Sequence, residues 1–263
     1  MKKIQLKRIL IGVVITSFFG LSIIIGVENN NNLSSLLVSK HAWSFKKLWR
    51  GYDLASVQRG YMVYRNECAS CHSIQFMQYA DLQQMGLTLD QINKLAATDQ
   101  ILDGKNALGM DHYRAATVKD FFPRPYPNEA AAKLANFNKN PVDFSRYAQI
   151  VTGGEDHIMA ILMGYRQPPK NFRTPQAGYY YNLYAVDQQI AMKPPLTNNA
   201  VKYFDHSSTS VEQQARDVTT FLSWTSDPHL IQRHRIGIMA GLYTLFVLVL
   251  VFLKNRKVWS NVK

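Results

Sequence analysis

The sequence predicts a mainly α-helical fold with long irregular loops and one C-terminal transmembrane helix. Four segments show helical periodicity or helix-capping residues, and an uncharged apolar run lies near the end of the chain. Residues 121–127 and 164–200 are rich in Pro, Gly, Tyr and Asn, so they cannot form long helices. No segment has a convincing strand pattern, and there are no internal repeats.

The net charge of +12 is concentrated at the two ends of the 263-residue chain. Residues 1–27 and 233–263 hold ten of the 30 Lys and Arg residues, whereas all 18 acids lie between Glu28 and Asp227. Residues 28–232 therefore carry 20 basic side chains against 18 acidic ones and are nearly neutral. Basic residues that flank apolar segments are typical of membrane proteins. We therefore expect membrane lipid, and no nucleic acid, among the partners.

Residues 1–27 combine a basic start with an apolar run from Ile9 to Val27. This pattern is typical of a secretory signal peptide, and cleavage is the favoured interpretation. The run is long and no clear A-x-A site follows it, so an uncleaved N-terminal anchor is the alternative. Both interpretations place residue 28 onward outside the cytoplasm.

Helices are predicted at four places before the C-terminal segment. The first spans Ser56 to His72, where apolar side chains recur at i, i+4 and i+7. The others are Asp81–Ala97, Asn128–Ala135 and Ser208–Ser223. The last of these opens with Ser and Thr residues that can cap a helix.

The C-terminal segment, residues 233–263, contains the predicted transmembrane anchor. The 18 residues from Ile236 to Leu253 carry no charge. As a helix they are about 27 Å long, close to the roughly 30 Å hydrocarbon core of a bilayer. The basic residues 254–257 follow and are expected to stay in the cytoplasm, although Arg233 and Arg235 on the other side weaken the asymmetry.

Cys68 and Cys71 are the two cysteines of the chain, and His72 follows them directly. A structural disulfide is disfavoured because the pair closes too small a loop. A zinc site needs about four ligands, usually from a second Cys/His pair, and no further cysteine exists. A thioredoxin-like dithiol would need a βαβ context.

The remaining interpretation of the C-x-x-C-H motif is covalent haem. Two thiols three positions apart lie on one face of a helical turn and can reach the two vinyl groups of a porphyrin, while the next residue points its imidazole at the iron. This motif is the attachment signature of c-type haem. We therefore predict one haem c, with Cys68 and Cys71 as attachment sites and His72 as an axial iron ligand. A redox dithiol remains the main alternative.

The second axial ligand is less clear from the residues alone. The segment IAMKPPL favours Met192, because Pro194 and Pro195 stiffen the chain that would hold a weakly bound thioether. Methionine more often fills a core, so both roles stay open for Met192. The other histidines are further candidates, at positions 41, 112, 157, 206, 229 and 234.

The chain resembles the cytochrome c1 family, the haem subunit of the ubiquinol–cytochrome c reductase (cytochrome bc1) complex. The resemblance covers residues 43–263 and rests on an ordered set of segments: RGYMVYRNECASCHSI, RPYPNEAAA, GGED, YYYN, IAMKPPL and ARDVTTFLSW, followed by the membrane helix and its basic tail. C-x-x-C-H alone is shared by all c-type cytochromes, whereas the ordered combination is specific.

The resemblance implies a cytochrome c-like haem domain over residues 28–232, on the periplasmic side of a bacterial inner membrane. It implies Cys68 and Cys71 as thioether sites, with His72 and Met192 as the axial ligands. The implied partners are cytochrome b, a Rieske iron–sulfur protein as electron donor and a cytochrome c as acceptor. No catalytic residues are expected, because the protein would be the electron-transfer subunit of an oxidoreductase and not an enzyme by itself.

Two departures from the family pattern concern the haem propionates and the loops. Many members have Arg and Tyr around GGED, where this chain has Val151 and His157. His157 is therefore a candidate propionate contact, with Arg146 or Lys133 as possible sources of charge, and exposure to solvent is the alternative for all three. An extra cysteine pair of some bacterial members is missing, so packing must hold the loops.

Two other functions fit parts of the sequence. A membrane-anchored cytochrome c that shuttles electrons to a terminal oxidase would share the haem and the anchor, but would be a small domain on a flexible linker. A haem peroxidase would need an open distal site. The five acids between positions 81 and 111 could form a docking face for a basic cytochrome c, or an ordinary solvated surface: Asp81, Asp90, Asp99, Asp103 and Asp111.

Overall fold

The structure is a computed structural model that describes residues 38–47, 50–172 and 177–260. The predicted signal peptide or N-terminal anchor at residues 1–27 lies outside the described residues.

The described chain is mainly α-helical, as predicted. A 3-10 turn (Ser44–Lys46) precedes α1 (Leu54–Val63), which continues as a π-helical turn (Tyr64–Cys68). Then follow a 3-10 helix (Tyr79–Met85), α2 (Leu89–Ala96), β1 (Gln100–Lys105), β2 (Asp111–Ala115), α3 (Glu129–Ala135), α4 (Tyr147–Ile150) and α5 (Gly154–Met163). The last elements are β3 (Tyr180–Tyr181), a 3-10 turn (Val186–Gln188), β4 (Gln189–Ile190), α6 (Val211–Ser226) and α7 (Leu230–Ser260).

The helix boundaries follow from local capping. The Asp53 carboxylate accepts the backbone N–H groups of Ala55 and Ser56 and so starts α1. Ser210 caps α6 in the same way, so this helix begins and ends about three residues later than predicted. The predicted helix Asp81–Ala97 is two elements, because Gly86 adopts a left-handed backbone (φ 93°) that ends the first.

The expectation that the chain has no strands is wrong for two short sheets. β1 and β2 form an antiparallel hairpin, and β3 pairs with β4. The hairpin gives no alternating pattern because nearly all its side chains are exposed. Helix α5 was not predicted either, since the two glycines at its start resemble a turn.

The core is centred on α1 and α6, which pack closely together. A Cβ at Gly60 would lie 2.1 Å from the carbonyl oxygen of Asp217, so the two backbones meet there and only glycine fits. Val57, Phe221 and Trp224 are at most 1% exposed in this contact region. Burial of such large side chains contributes roughly 1.5–3 kcal/mol each, which fixes the end of α1 relative to α6.

Helix α7 is the one helix of the described residues that is long and apolar enough to cross a membrane. It has 31 residues, its most apolar window has a mean hydropathy of 2.6, and none of that window is buried. An apolar helix with no protein cover fits a single-pass membrane anchor, and it contains the predicted span Ile236–Leu253.

Candidate functional site

Cys68, Cys71 and His72 leave the chain from one compact turn at the end of α1. The N–H of Ala69 donates to the Tyr64 carbonyl at 2.8 Å and closes the π-helical turn. The N–H groups of Cys71 and His72 both donate to the Cys68 carbonyl, at 3.1 and 2.9 Å. These local bonds hold the backbones of Cys68, Cys71 and His72 in one turn.

The His72 ring is fixed by two neighbours that come from residues 142–144. Its Nδ1 lies 2.8 Å from the Val142 carbonyl oxygen, which requires Nδ1 to donate. The ring stacks on Phe144, with centroids 4.2 Å apart and planes inclined by 8°. Burial lowers the pKa of His72, so the imidazole is neutral and Nε2 keeps its lone pair. This is the orientation that second-shell hydrogen bonds give to metal-binding histidines.

The carboxylate of Asp143 holds these neighbours in place. It accepts the Ser73 hydroxyl at 2.6 Å and the N–H groups of Gln75 and Ser145 at 3.1 and 2.9 Å. Burial opposes ionisation, but the hydrogen bonds from Ser145, Ser73 and Gln75 prevail and lower the pKa of Asp143. Sequence reasoning missed this support, although the D-x-S pattern at 143–145 is a known turn signal.

The two cysteines are free thiols in different surroundings. Cys68 is 8% exposed, and burial raises the pKa of its thiol to about 12. Cys71 is half-buried, with the Tyr126 hydroxyl 3.7 Å from its sulfur. A thioredoxin-like dithiol needs a βαβ context, whereas in the described chain the motif follows α1 and precedes a 3-10 helix. In the part of the chain that the structure describes, no three His, Cys, Asp or Glu side chains are grouped to hold a metal ion such as zinc.

Met192 lies two residues after β4 and is half-buried. The Tyr165 hydroxyl donates to the Met192 carbonyl oxygen at 3.1 Å. Further along, Leu196 is buried and Gln214 of α6 donates to the Thr197 carbonyl at 2.7 Å. The segment that carries Met192 is therefore tied to the end of α5 and to α6. A neutral imidazole, two thiols and a thioether form a donor set that fits a c-type haem.

The candidate propionate residues have distinct environments. His157 lies in the first turn of α5, where it is half-buried and burial lowers its pKa. Val151 packs against the core. Lys133 pairs with Glu129 at 2.7 Å, and Arg146 is exposed. Of the three polar candidates, Lys133 already has a carboxylate partner.

The acids of GGED hold the segment at residues 41–46. The Asp156 carboxylate accepts the indole N–H of Trp43 at 2.7 Å and the backbone N–H of His41 at 3.0 Å. Glu155 pairs with Lys46 at 2.7 Å. This motif therefore contributes to the attachment of an N-terminal segment, a role that its spacing did not predict.

The acids between positions 81 and 111 offer less free charge than their number suggests. Asp99 pairs with Arg65, and Asp111 with Lys105. Asp103 lies 3.4 Å from Arg114, and Asp81 accepts the Gln78 N–H at 2.9 Å. Among the five acids, Asp90 remains without such a contact in the described structure. The segment is a weaker candidate for an acidic docking face than the sequence suggested.

Comparisons with known proteins identify the family of the chain. The sequence model of the Cytochrome C1 family matches residues 43–262. The chain is 35% identical over 227 residues to the cytochrome c1-2 heme protein of Solanum tuberosum, covering 85% of each. It is 35% identical over 231 residues to the cytochrome c1 heme protein of Saccharomyces cerevisiae, covering 84% of this chain and 74% of the relative. It is 32% identical over 240 residues to cytochrome b/c1 of Bradyrhizobium diazoefficiens, covering 83% of this chain and 35% of that protein.

Proposed function

The chain belongs to the cytochrome c1 family, and on that premise we propose which of its residues hold the haem. Members of this family are haem c proteins that transfer electrons in a respiratory chain as part of the bc1 complex. Cys68 and Cys71 form the two thioether bonds. His72 and Met192 would bind the iron.

The orientation of His72 is the observation that carries this assignment. Its Nδ1 is occupied by the Val142 carbonyl at 2.8 Å, and the ring is stacked on Phe144. The nitrogen left for a metal is Nε2, on a ring that burial keeps neutral. The thiols of Cys68 and Cys71 come from the same turn, so one porphyrin can take up all three groups.

The bound haem supplies one-electron redox chemistry, and ligation by His and Met favours a high potential. The chain contributes position and environment. Phe144 and the Val142 carbonyl set the plane and basicity of the His72 ring. The buried residues around Cys68 exclude water, which disfavours the more highly charged ferric state. No general acid or base is required of this subunit.

The partners follow from the same assignment. Helix α7 packs beside cytochrome b in the membrane, a Rieske iron–sulfur protein delivers the electron and a cytochrome c receives it. Residues 28–232 form the haem domain on the periplasmic side of a bacterial inner membrane. Residues 233–263 form the anchor and its cytoplasmic tail, and residues 1–27 act as the signal peptide or as an N-terminal anchor.

A shuttle to a terminal oxidase is not favoured. The family is that of a bc1 subunit. In addition, three residues separate α6 from α7, from Asp227 to His229, and Arg233 pairs with Asp227 across this junction. A shuttle would need a long flexible linker between its haem domain and its anchor.

His157 is proposed as a propionate contact. It is half-buried, whereas Arg146 is exposed and Lys133 is paired with Glu129. A half-buried imidazole next to a carboxylate can donate a hydrogen bond from either nitrogen.

Purification in mild detergent tests the proposed function. The full-length protein should co-purify with cytochrome b and a Rieske protein, and should keep its haem after denaturation because the bonds are covalent. Replacement of Cys68 and Cys71 by Ser should release the haem under the same conditions. Isolation of the haem-loaded protein without cytochrome b, or together with a terminal oxidase, would contradict the assignment to a bc1 complex.

A further inference from the structure

The segment that carries Met192 is fixed at both of its ends. On the N-terminal side, β4 (Gln189–Ile190) pairs with β3, with Tyr180 opposite Ile190. On the C-terminal side, Leu196 is 7% exposed and the Thr197 carbonyl accepts a hydrogen bond from Gln214. Between these points lie two prolines, which cannot donate backbone hydrogen bonds. The location of the Met192 backbone therefore depends on contacts to the middle of the segment.

Tyr165 supplies such a contact from the end of α5. Its hydroxyl donates to the Met192 carbonyl oxygen at 3.1 Å. A carbonyl oxygen can only accept, so the tyrosine hydroxyl is the donor in this contact. Gly164 ends α5, and Tyr165 follows it directly. The bond therefore connects the backbone of residue 192 to the end of this helix.

Asn182, which directly follows β3, connects the β3–β4 pair to the end of α5. It is fully buried, and its side-chain amide donates to the Ile161 carbonyl at 2.8 Å. The N–H of Leu183 donates to the Gly164 carbonyl at 3.0 Å. A Cβ at Gly164 would lie 2.4 Å from the Asn182 side-chain oxygen, so this close approach requires glycine. Residues at the end of α5 therefore hold residues 180–192 in place.

The turn between β3 and β4 shows that the surrounding contacts determine the loop conformation. Asp187 and Gln188 both have positive φ angles, 53° and 56°. Residues with a side chain rarely adopt this left-handed region. Such a turn persists where neighbouring contacts hold it, and the Asn182 N–H donates to the Gln188 carbonyl at 3.0 Å.

We propose that Tyr165 is a positioning residue for the iron: its hydroxyl holds the Met192 backbone so that the thioether sulfur stays bound. The proposal rests on the proposed role of Met192 as an axial ligand. Tyr165 itself does not touch the iron in this account. It acts through the backbone of residue 192, whose side chain forms a weak bond that competing ligands can replace.

Imidazole binding to the ferric full-length protein in mild detergent tests this role, because imidazole binds only where the thioether leaves. Tyr165→Phe keeps the ring and removes the donor, so the protein should fold and retain covalent haem. Loss of one hydrogen bond should raise the affinity for imidazole about two- to tenfold. The reduction potential of the variant should fall in parallel, because the methionine-bound fraction decreases.

Tyr180→Phe is the matched control. Tyr180 lies on the same loop, is 42% exposed, and its hydroxyl has no hydrogen-bond partner in the described part of the chain. Its imidazole affinity and potential should equal those of the parent. A Tyr165→Phe variant that also equals the parent in both measurements would overturn the proposal, as would an equal change in Tyr180→Phe.

Met192→Leu separates this proposal from the one on which it rests. If Met192 is the ligand, its removal should raise the imidazole affinity far more than Tyr165→Phe does. An unchanged affinity in Met192→Leu would show that the ligand assignment itself is wrong. A large change in Met192→Leu with none in Tyr165→Phe would leave the ligand assignment standing and overturn the role of Tyr165.

Discussion

The two sides of the proposed haem site are built in different ways. On one side, Cys68, Cys71 and His72 are neighbours in sequence and leave the same turn at the end of a core helix. On the other side, Met192 lies 120 positions later in an irregular segment. The first side takes its backbone from one well-packed helix, and residues 142–144 orient only the His72 ring. The second side needs distant parts of the chain to hold its backbone.

The side that carries His72 is attached to the core by a buried ion pair as well as by apolar packing. Asp217 of α6 is 0% exposed and accepts hydrogen bonds from Ser56 at 2.6 Å and from Arg59 at 3.0 Å. Both donors belong to α1. Arg59 also reaches Asp205 at 2.8 Å.

The side that carries Met192 depends on single hydrogen bonds from side chains at the end of α5 and on α6. Tyr165 and Gln214 hold the segment at two carbonyl groups. Each such bond contributes about 0.5–1.5 kcal/mol. Damage to the α1–α6 contact should therefore change the stability of the whole domain, whereas damage to the Met192 segment should change the properties of the iron and leave the fold intact.

Asp217→Ala is expected to have the largest effect. The substitution removes the main partner of the Arg59 guanidinium, which is largely buried. Loss of one member of a buried pair costs about 3–5 kcal/mol. For a domain of this size that corresponds to a decrease of roughly 10 °C in the Tm. The decrease in the Tm is measured by following the loss of secondary structure as the full-length protein is heated.

Asp205→Ala is the control for this variant. Asp205 binds the same Arg59 from a more exposed position, with a side-chain exposure of 29%. Its removal should cost at most about 1 kcal/mol. Equal losses for both variants would show that Asp217 has no special role in fixing the haem-bearing helix.

Met192→Leu should have a smaller effect on folding and a clear effect on the potential. Leucine keeps the volume and removes the sulfur, so covalent haem attachment should survive. The reduction potential should fall by at least about 60 mV, which shifts a one-electron equilibrium tenfold. Redox titration beside the parent measures the shift. A variant with the potential of the parent and a small loss of stability would mean that Met192 only fills space.

The smallest expected effect concerns His157 and its dependence on pH. Burial alone lowers the pKa of His157, so below about pH 6.5 the unfolded chain would bind more protons than the folded protein. The free energy of unfolding would then decrease as the pH falls. A hydrogen-bonded haem propionate would raise the pKa instead. The parent would then gain stability relative to His157→Gln as the pH falls from about 8 to 6.

The Tm of the parent and of His157→Gln, measured over this pH range, shows whether the pKa of His157 is raised or lowered. We expect the parent to gain, because the proposed propionate contact favours the protonated imidazole. A parent that loses stability relative to His157→Gln below about pH 6.5 would contradict the contact. His206→Gln, at an exposed position, should follow the parent throughout.

The sequence predicted the parts of this protein that short patterns determine. C-x-x-C-H predicted a haem. Helical periodicity predicted α1, and capping residues predicted α6. The apolar run from Ile236 to Leu253 predicted the core of α7. The two helices and the apolar run each depend on residues a few positions apart, so the sequence pattern and the structure coincide there.

The parts that the sequence did not predict depend on contacts between distant segments. The Val142 carbonyl orients His72 across 70 positions, and a backbone carbonyl leaves no mark in a sequence. The exposed hairpin β1–β2 lacks an apolar face, so it gave no alternation. The division of Asp81–Ala97 at Gly86 depends on a backbone angle that glycine permits but does not require.

The most direct test of the two-sided site is the near-infrared magnetic circular dichroism of the ferric full-length protein, which distinguishes axial ligand pairs. We expect the signature of one imidazole and one thioether, from His72 and Met192. A signature of two nitrogen ligands would show that another residue occupies the position assigned to Met192. That result would contradict the proposed architecture of the haem site, including the role of Tyr165.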